Sequence, residues 1–134
     1  METQPPLAIR VRRSQLGRVR GTGSAKAGVH HWYAERVSAI ALVPLTLWFV
    51  FSMVRLAGAR WETVVLWAGH PWNTVLLLAL IAMTFHHTAL GVQVVLEDYV
   101  HEKWSLTVSV LAVKAACALL GLMAAVSVLR LALY

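Results

Sequence analysis

The amino-acid sequence predicts an all-α membrane protein in which a basic N-terminal tail precedes three transmembrane helices. Hydrophobic residues make up 59% of the 134 residues, charged residues only 13%, and the mean hydropathy is +0.67. The apolar residues are concentrated in three long runs, whereas most basic residues lie near the N-terminus. A soluble domain of this length would need far more polar surface, so that class is excluded.

The first 29 residues are predicted to form a basic tail outside the membrane. Residues 1–36 carry seven of the twelve Lys and Arg residues and two of the six acids, a net charge of +5. This segment has neither the apolar core nor the small-residue cleavage site of a signal peptide. We interpret it as a tail that its charge holds on the cytoplasmic side, where it can also contact lipid or a partner.

Each of the three apolar runs is long enough to cross a bilayer, since about 20 helical residues at 1.5 Å each span a hydrocarbon core of about 30 Å. The predicted spans, within a membrane domain of residues 30–134, are 37–57, 73–96 and 104–129. Pro44 lies inside the first span, where membrane helices tolerate the backbone hydrogen bond that a proline removes. Lys114 is the only charged residue of the third span, and we expect it to face protein or to extend toward an interface.

The distribution of basic residues predicts the orientation. With the N-terminus inside, the inner side carries eight Lys and Arg residues and the outer side three, as the positive-inside rule requires. The C-terminus is then outside, and we expect the bacterial cytoplasmic membrane. The apolar segment ETVVLWAGHPW, between the first two spans, is interpreted as an interfacial loop on the outer face.

The single cysteine, Cys117, excludes several kinds of site within this chain. One cysteine cannot form an internal disulfide or the Cys-x-x-Cys-His attachment of a c-type haem. It also cannot supply a cysteine-ligated zinc or iron–sulfur site.

The stretch HHTALGVQVVLEDYVH places two histidines near the middle of the second span. An ionisable group inside a membrane is a functional hypothesis by default, although a neutral histidine bonded to a neighbouring helix is the structural alternative. His87 shares a helix face with Gly91 and Asp98, and the missing side chain of Gly91 would let a flat macrocycle ligated by His87 lie close to the backbone. His86 points about 100° away and is expected to pack or to bond to a partner.

A haem ligated by His87 would need its second axial imidazole from another chain. The histidines outside the second span lie in the region before the first span, in the outer segment and at the inner surface: His30, His31, His70 and His101. None of them lies at mid-membrane depth, so this chain would supply half of a haem site.

Asp98 and Tyr99 mark the inner end of the second span. One interpretation of these residues is a helix end that reaches water. We adopt that interpretation for Glu97 and Glu102, whose side chains we expect to be solvated. A phenol at the membrane boundary can instead donate a hydrogen bond to a quinone carbonyl and stabilise the negative charge that develops on reduction. A neighbouring carboxylate can orient a cation or relay a proton.

Three features together resemble the hydrophobic membrane anchor subunit of succinate dehydrogenase, which is respiratory complex II. They are GSAKAGVHHWYAERVSAIALVPLTLWFV at the entry to the first span, a His followed eleven residues later by Asp-Tyr in HTALGVQVVLEDYV, and three spans after a basic tail. The resemblance covers about residues 22–101, and its specificity comes from the combination.

The resemblance implies a role for each matched residue. His87 corresponds to the axial ligand of a haem b that is shared with the other membrane anchor of such a complex, the partner anchor. Tyr99 corresponds to the residue that hydrogen-bonds ubiquinone, and Asp98 lies near the quinone site. Arg36 and His30 match positions in the vicinity of the haem propionates or the quinone pocket.

The implied activity is electron transfer from succinate to quinone in the respiratory chain and the tricarboxylic acid cycle. A flavoprotein subunit oxidises succinate, an iron–sulfur subunit passes the electrons on, and this chain packs with the partner anchor into a haem-binding helical bundle. It has no complete active site alone. The partners expected are those three subunits and membrane lipid, with no nucleic acid, and the complex can associate further. The rivals are a haem-free structural anchor of a related complex and an unrelated haem-b carrier or small transport subunit.

Overall fold

The computed structural model describes residues 26–133, with side chains from residue 28 onward. Four helices and no strand occupy this part of the chain: α1 (Lys26–Leu56), α2 (Trp61–Gly69), α3 (Pro71–Tyr99) and α4 (Lys103–Leu133). Segments of α1, α3 and α4 are long and apolar enough to cross a membrane. The predicted all-α class with three spans is therefore confirmed.

The long helices extend beyond the predicted spans. α1 begins at Lys26, so the predicted boundary of the tail at residue 29 lies inside a helix, and residues 1–25 of that tail lie outside the described part. α3 begins with Pro71 at its first position, where a missing backbone N–H costs nothing. Helices of 29 to 31 residues are about 43 to 46 Å long, which matches a bilayer with its headgroup regions rather than the hydrocarbon core alone.

The connection between the first two spans is a helix, so the predicted interfacial loop was wrong. WETVVLWAG contains no proline and no glycine before its last residue, so nothing interrupts helical hydrogen bonding. Gly58, with φ +78°, makes the turn that separates α1 from α2. Trp67 of α2 stacks on Trp48 of α1, with ring centroids 5.7 Å apart and an interplanar angle of 22°. This stack fixes the short helix against the end of the first span.

α3 is the central helix of the bundle. It packs along α1 on one side and along α4 on the other, and α2 covers one end of α3 and α4. Within residues 28–133 only Ser38, Ala68 and Leu90 are buried, while large apolar side chains are exposed along all three long helices. The exposed apolar surface is therefore left for lipid and for other chains.

Close packing of α3 on α4 depends on Gly121. A Cβ atom added at this glycine would lie 3.2 Å from Cδ2 of Phe85, which is tighter than ordinary van der Waals contact. The absent side chain lets the Phe85 ring approach the backbone of α4. Small residues serve this purpose in membrane helix packing because lipid offers no hydrophobic driving force between helices.

Replacement of Gly121 should loosen the contact between α3 and α4. We expect Gly121→Leu to lower the free energy of unfolding by about 1–3 kcal/mol, the range for overpacked sites. Thermal unfolding of the detergent-solubilised complex measures the change. Gly28→Leu is the matched control, because nothing lies within 4 Å of a Cβ atom at Gly28. An equal loss of stability in both variants would contradict the packing role of Gly121.

Candidate half-site at His87 and the helix end at Tyr99

The central contact of the candidate site joins α1 to α3. Oγ of Ser38 lies 3.0 Å from Nδ1 of His87. Ser38 is 2% exposed and is the only buried polar residue among residues 28–133. The buried Ser38 hydroxyl and the His87 imidazole therefore form a hydrogen bond with each other at the interface between the first two spans.

The hydrogen bonds of Ser38 bear on which nitrogen of His87 carries the proton. The Ser38 hydroxyl has one proton and lies 2.9 Å from the carbonyl oxygen of Glu35 and 3.0 Å from Nδ1 of His87. When the hydroxyl donates to the Glu35 carbonyl, Oγ accepts a hydrogen bond from Nδ1–H of His87. In a neutral imidazole with the proton on Nδ1, Nε2 carries a lone pair. This is the arrangement by which proteins orient a metal-ligating histidine.

The surroundings of His87 leave room for a flat ligand. Gly91 lies one turn further along α3, and nothing lies within 4 Å of a Cβ atom built there. His87 is about 24 Å along the axis from Pro71 and about 18 Å from Tyr99, hence near the middle of the bilayer. Among residues 26–133 no three His, Cys, Asp or Glu residues form a metal-binding group.

The neighbouring histidine has a different environment. His86 is exposed and lines a groove between α3 and α4, together with Phe85 and Lys114. No hydrogen bond from the described residues reaches its ring, so the expected partner of His86 stays a prediction. The two adjacent histidines thus face different sides of α3, as a rotation of about 100° per residue requires.

Asp98 and Tyr99 lie at the end of α3 and are open to other molecules. Tyr99, the last helical residue, is 79% exposed, and Asp98 is also exposed. The carboxylate of Glu97 instead accepts a hydrogen bond of 2.7 Å from Nε2 of Gln93. The structure therefore keeps the Tyr99 end about 18 Å from His87 along the axis and does not bring the two positions together.

The two site residues predicted from α1, Arg36 and His30, are both exposed. Arg36 is exposed, and its guanidinium lies 5.8 Å from the ring centroid of Trp32, in a cation–π contact. It is about 3 Å along the axis from Ser38, so it is near the depth of His87. His30 is exposed and about 12 Å from Ser38, toward the end of the bundle where α3 finishes.

Sequence reasoning missed Ser38. The available signal was a hydroxyl in the otherwise apolar run VSAIALV, two residues after Arg36. A serine in a membrane helix can bond back to its own helix, as Ser52 does to the carbonyl of Trp48. Only the packing of α1 on α3 shows that Ser38 also reaches another helix.

Known membrane subunits are similar to this chain along most of its length. Residues 10–128 match the family described as succinate dehydrogenase/fumarate reductase transmembrane subunit. The chain belongs to this family. The resemblance found in the sequence is thereby confirmed, and the chain is a multi-pass membrane anchor subunit of a succinate dehydrogenase complex.

Several relatives are succinate dehydrogenase membrane anchor subunits. The succinate dehydrogenase hydrophobic membrane anchor subunit of Rickettsia bellii is 34% identical over 66% of this chain and 70% of its own length. That of Rickettsia conorii is 32% identical over 66% of this chain and 71% of its own. The Paracoccus denitrificans subunit is 30% identical over 59% and 61%. No solved structure matches the chain.

The Ser38–His87 contact should contribute to the stability of this anchor subunit. We expect Ser38→Ala to lower the free energy of unfolding by about 1–3 kcal/mol, because Nδ1–H of His87 loses its acceptor inside the bundle. Denaturation of the purified complex in detergent measures the loss. Ser52→Ala, which removes a bond within one helix, is the control. The interhelical role fails if both variants lose the same amount.

Proposed function

We propose that this anchor subunit helps to bind haem b and ubiquinone, so that electrons pass from succinate to quinone. The observation that carries the proposal is the contact of Ser38 with Nδ1 of His87 near mid-membrane, which holds the ring by one nitrogen and leaves Nε2 for a ligand. The subunit also attaches the flavoprotein and iron–sulfur subunits to the membrane. It forms no complete active site by itself.

His87 would hold the haem iron through Nε2, while Ser38 holds the opposite ring nitrogen and prevents the ring from rotating. The open space at Gly91 accommodates a flat macrocycle beside the helix. A bound haem b supplies a one-electron redox centre at this depth. A second imidazole for the iron would have to come from the partner anchor, since neither α1 nor α4 has a histidine at the depth of His87.

Tyr99 and Asp98 would form part of the quinone site at the membrane boundary. The Tyr99 hydroxyl donates a hydrogen bond to a quinone carbonyl and stabilises the negative charge that reduction places there. The Asp98 carboxylate orients a cationic group of a neighbouring subunit or relays a proton from water. Their exposure in this chain fits a site that the iron–sulfur subunit and the partner anchor complete.

Arg36 and His30 would bind anionic groups at the edge of these sites. The Arg36 guanidinium can pair with a haem propionate at the depth of His87, and its contact with Trp32 limits its freedom before binding. His30 lies nearer the quinone end. Both side chains are exposed and available to such groups.

The proposed location is the bacterial cytoplasmic membrane, with the N-terminus inside and the C-terminus outside. The excess of Lys and Arg in residues 1–36 supports this orientation. It places the Tyr99 end of α3 at the cytoplasmic boundary, where quinone reduction can draw protons from water. Association of whole complexes is compatible with the large exposed apolar surface.

Visible spectra of the purified complex test the haem ligand. We expect His87→Ala to abolish the b-type bands of the reduced-minus-oxidised spectrum and His86→Ala to retain them. If the wild type shows no such bands, the haem-free structural anchor is correct instead. If only His86→Ala loses the bands, the choice of ligand is wrong.

Removal of the Tyr99 hydroxyl tests the quinone role. We expect Tyr99→Phe to lower quinone reductase activity about tenfold or more, the effect of losing a hydrogen bond to a charged group. Succinate oxidation with a water-soluble artificial acceptor serves as the control and should stay near wild type. An equal loss of both activities would show an assembly defect and contradict the assigned role.

A further inference from the structure

A second open region of the bundle, on another side of α3, is not used by the proposed haem and quinone sites. It is a groove of about 700 Å³ between α3 and α4. Seen down the helix axis, the groove residue His86 lies about 140° from Gly91 and about 140° from Tyr99. A ligand in this groove therefore would not compete with the haem or the quinone.

The groove is polar at one end and apolar along the rest. Lys114 and Leu90 line the end nearer Tyr99, and Leu78 and Ala125 line the other end. His86 lies about one turn further into the membrane than Leu90. From Leu78 to Leu90 the groove runs for about 18 Å, the rise of twelve helical residues.

Lys114 has a position from which its ammonium group can reach the membrane boundary. Lys114 lies eleven residues, or about 16 Å, from the start of α4. Because α4 is longer than the hydrocarbon core is thick, about 8 Å of the helix extends beyond the core at each end. The Cα atom of Lys114 therefore lies about 8 Å inside the core. Side chains lean toward the N-terminus of their helix, so the lysine stem can follow the apolar groove wall toward the headgroups.

No acid of residues 28–133 pairs with Lys114. Among residues 28–133 the only ion pair joins Arg60 to Glu62, at the far end of the bundle. The described acids at the Tyr99 end of the bundle are Glu97, Asp98 and Glu102. Glu35 lies about 14 Å along α1, on the helix that packs on the other side of α3 from α4.

The lining of the groove, with a cation at one end and mostly apolar side chains along the rest, matches the two parts of a phospholipid. A phospholipid has a phosphate at one end and a thin apolar chain behind it. Basic pockets between transmembrane helices are known to bind such headgroups.

We propose that this groove binds one membrane phospholipid from the leaflet at the Tyr99 end. Its phosphate pairs with the ammonium group of Lys114, and one acyl chain follows the groove toward Leu78. His86, near the middle of the bilayer, lies beside this acyl chain. The lipid covers the charged and apolar surface that α3 and α4 leave open.

Photolabelling of the intact complex tests this assignment. The purified complex is reconstituted in phosphatidylcholine vesicles with a trace of phosphatidylglycerol that carries a diazirine in one acyl chain. Diacylglycerol with the same chain is the probe without phosphate. We expect phosphatidylglycerol to label the groove segments 78–90 and 117–125 about fivefold more strongly, since one lysine near the surface contributes about 1 kcal/mol.

Two variants with matched controls distinguish the contribution of the Lys114 charge to labelling from the contribution of the groove's width. Lys114→Leu should abolish the preference for the phosphate-bearing probe, whereas Arg130→Leu at the other end of α4 should retain it. Ala118→Leu, which narrows the groove, should reduce labelling by both probes, whereas Ala112→Leu outside the groove should not. Equal labelling by the two probes, a preference that survives Lys114→Leu, or crosslinks from the groove to another subunit would overturn the proposal.

Discussion

The hydrogen bond between Ser38 and His87 is the interaction on which the candidate site depends. Nδ1 of a histidine near the middle of a bilayer needs a partner, because no water is present to replace one. Ser38 provides it across the interface of α1 and α3 and also bonds to the Glu35 carbonyl. The same contact joins two helices and orients the His87 ring, so a contact that stabilises the fold also positions the proposed ligand.

The bundle around this contact is an arrangement with α3 between α1 and α4. Such an arrangement buries little, and only three residues of 28–133 are buried. In water, this exposed apolar surface would destabilise the fold. In a bilayer, the exposed leucines and valines contact lipid tails that are equally apolar. The open sides of α3 are therefore compatible with stability, and they are also where a macrocycle, another subunit or a lipid can bind.

Depth separates the chemistry along α3. His87 lies in the low-dielectric interior, whereas Asp98 and Tyr99 reach the boundary about 18 Å away. A phenol and a carboxylate that exchange protons need water, and an axial imidazole does not. One helix can therefore serve two sites whose needs for solvent are opposite.

Hydropathy along the chain was enough to predict the all-α class and the three spans, and residue spacing was enough to propose His87, Asp98 and Tyr99 as site residues. The α2 helix could not be predicted, since a short apolar segment at an interface can form a loop or a helix. The full helix lengths could not be predicted either, since hydropathy reports only the hydrocarbon core of the bilayer. The partner of His87 and the groove beside Lys114 became visible only in the packed structure. Both depend on which faces of two helices meet, and the sequence of each helix alone does not fix that rotation.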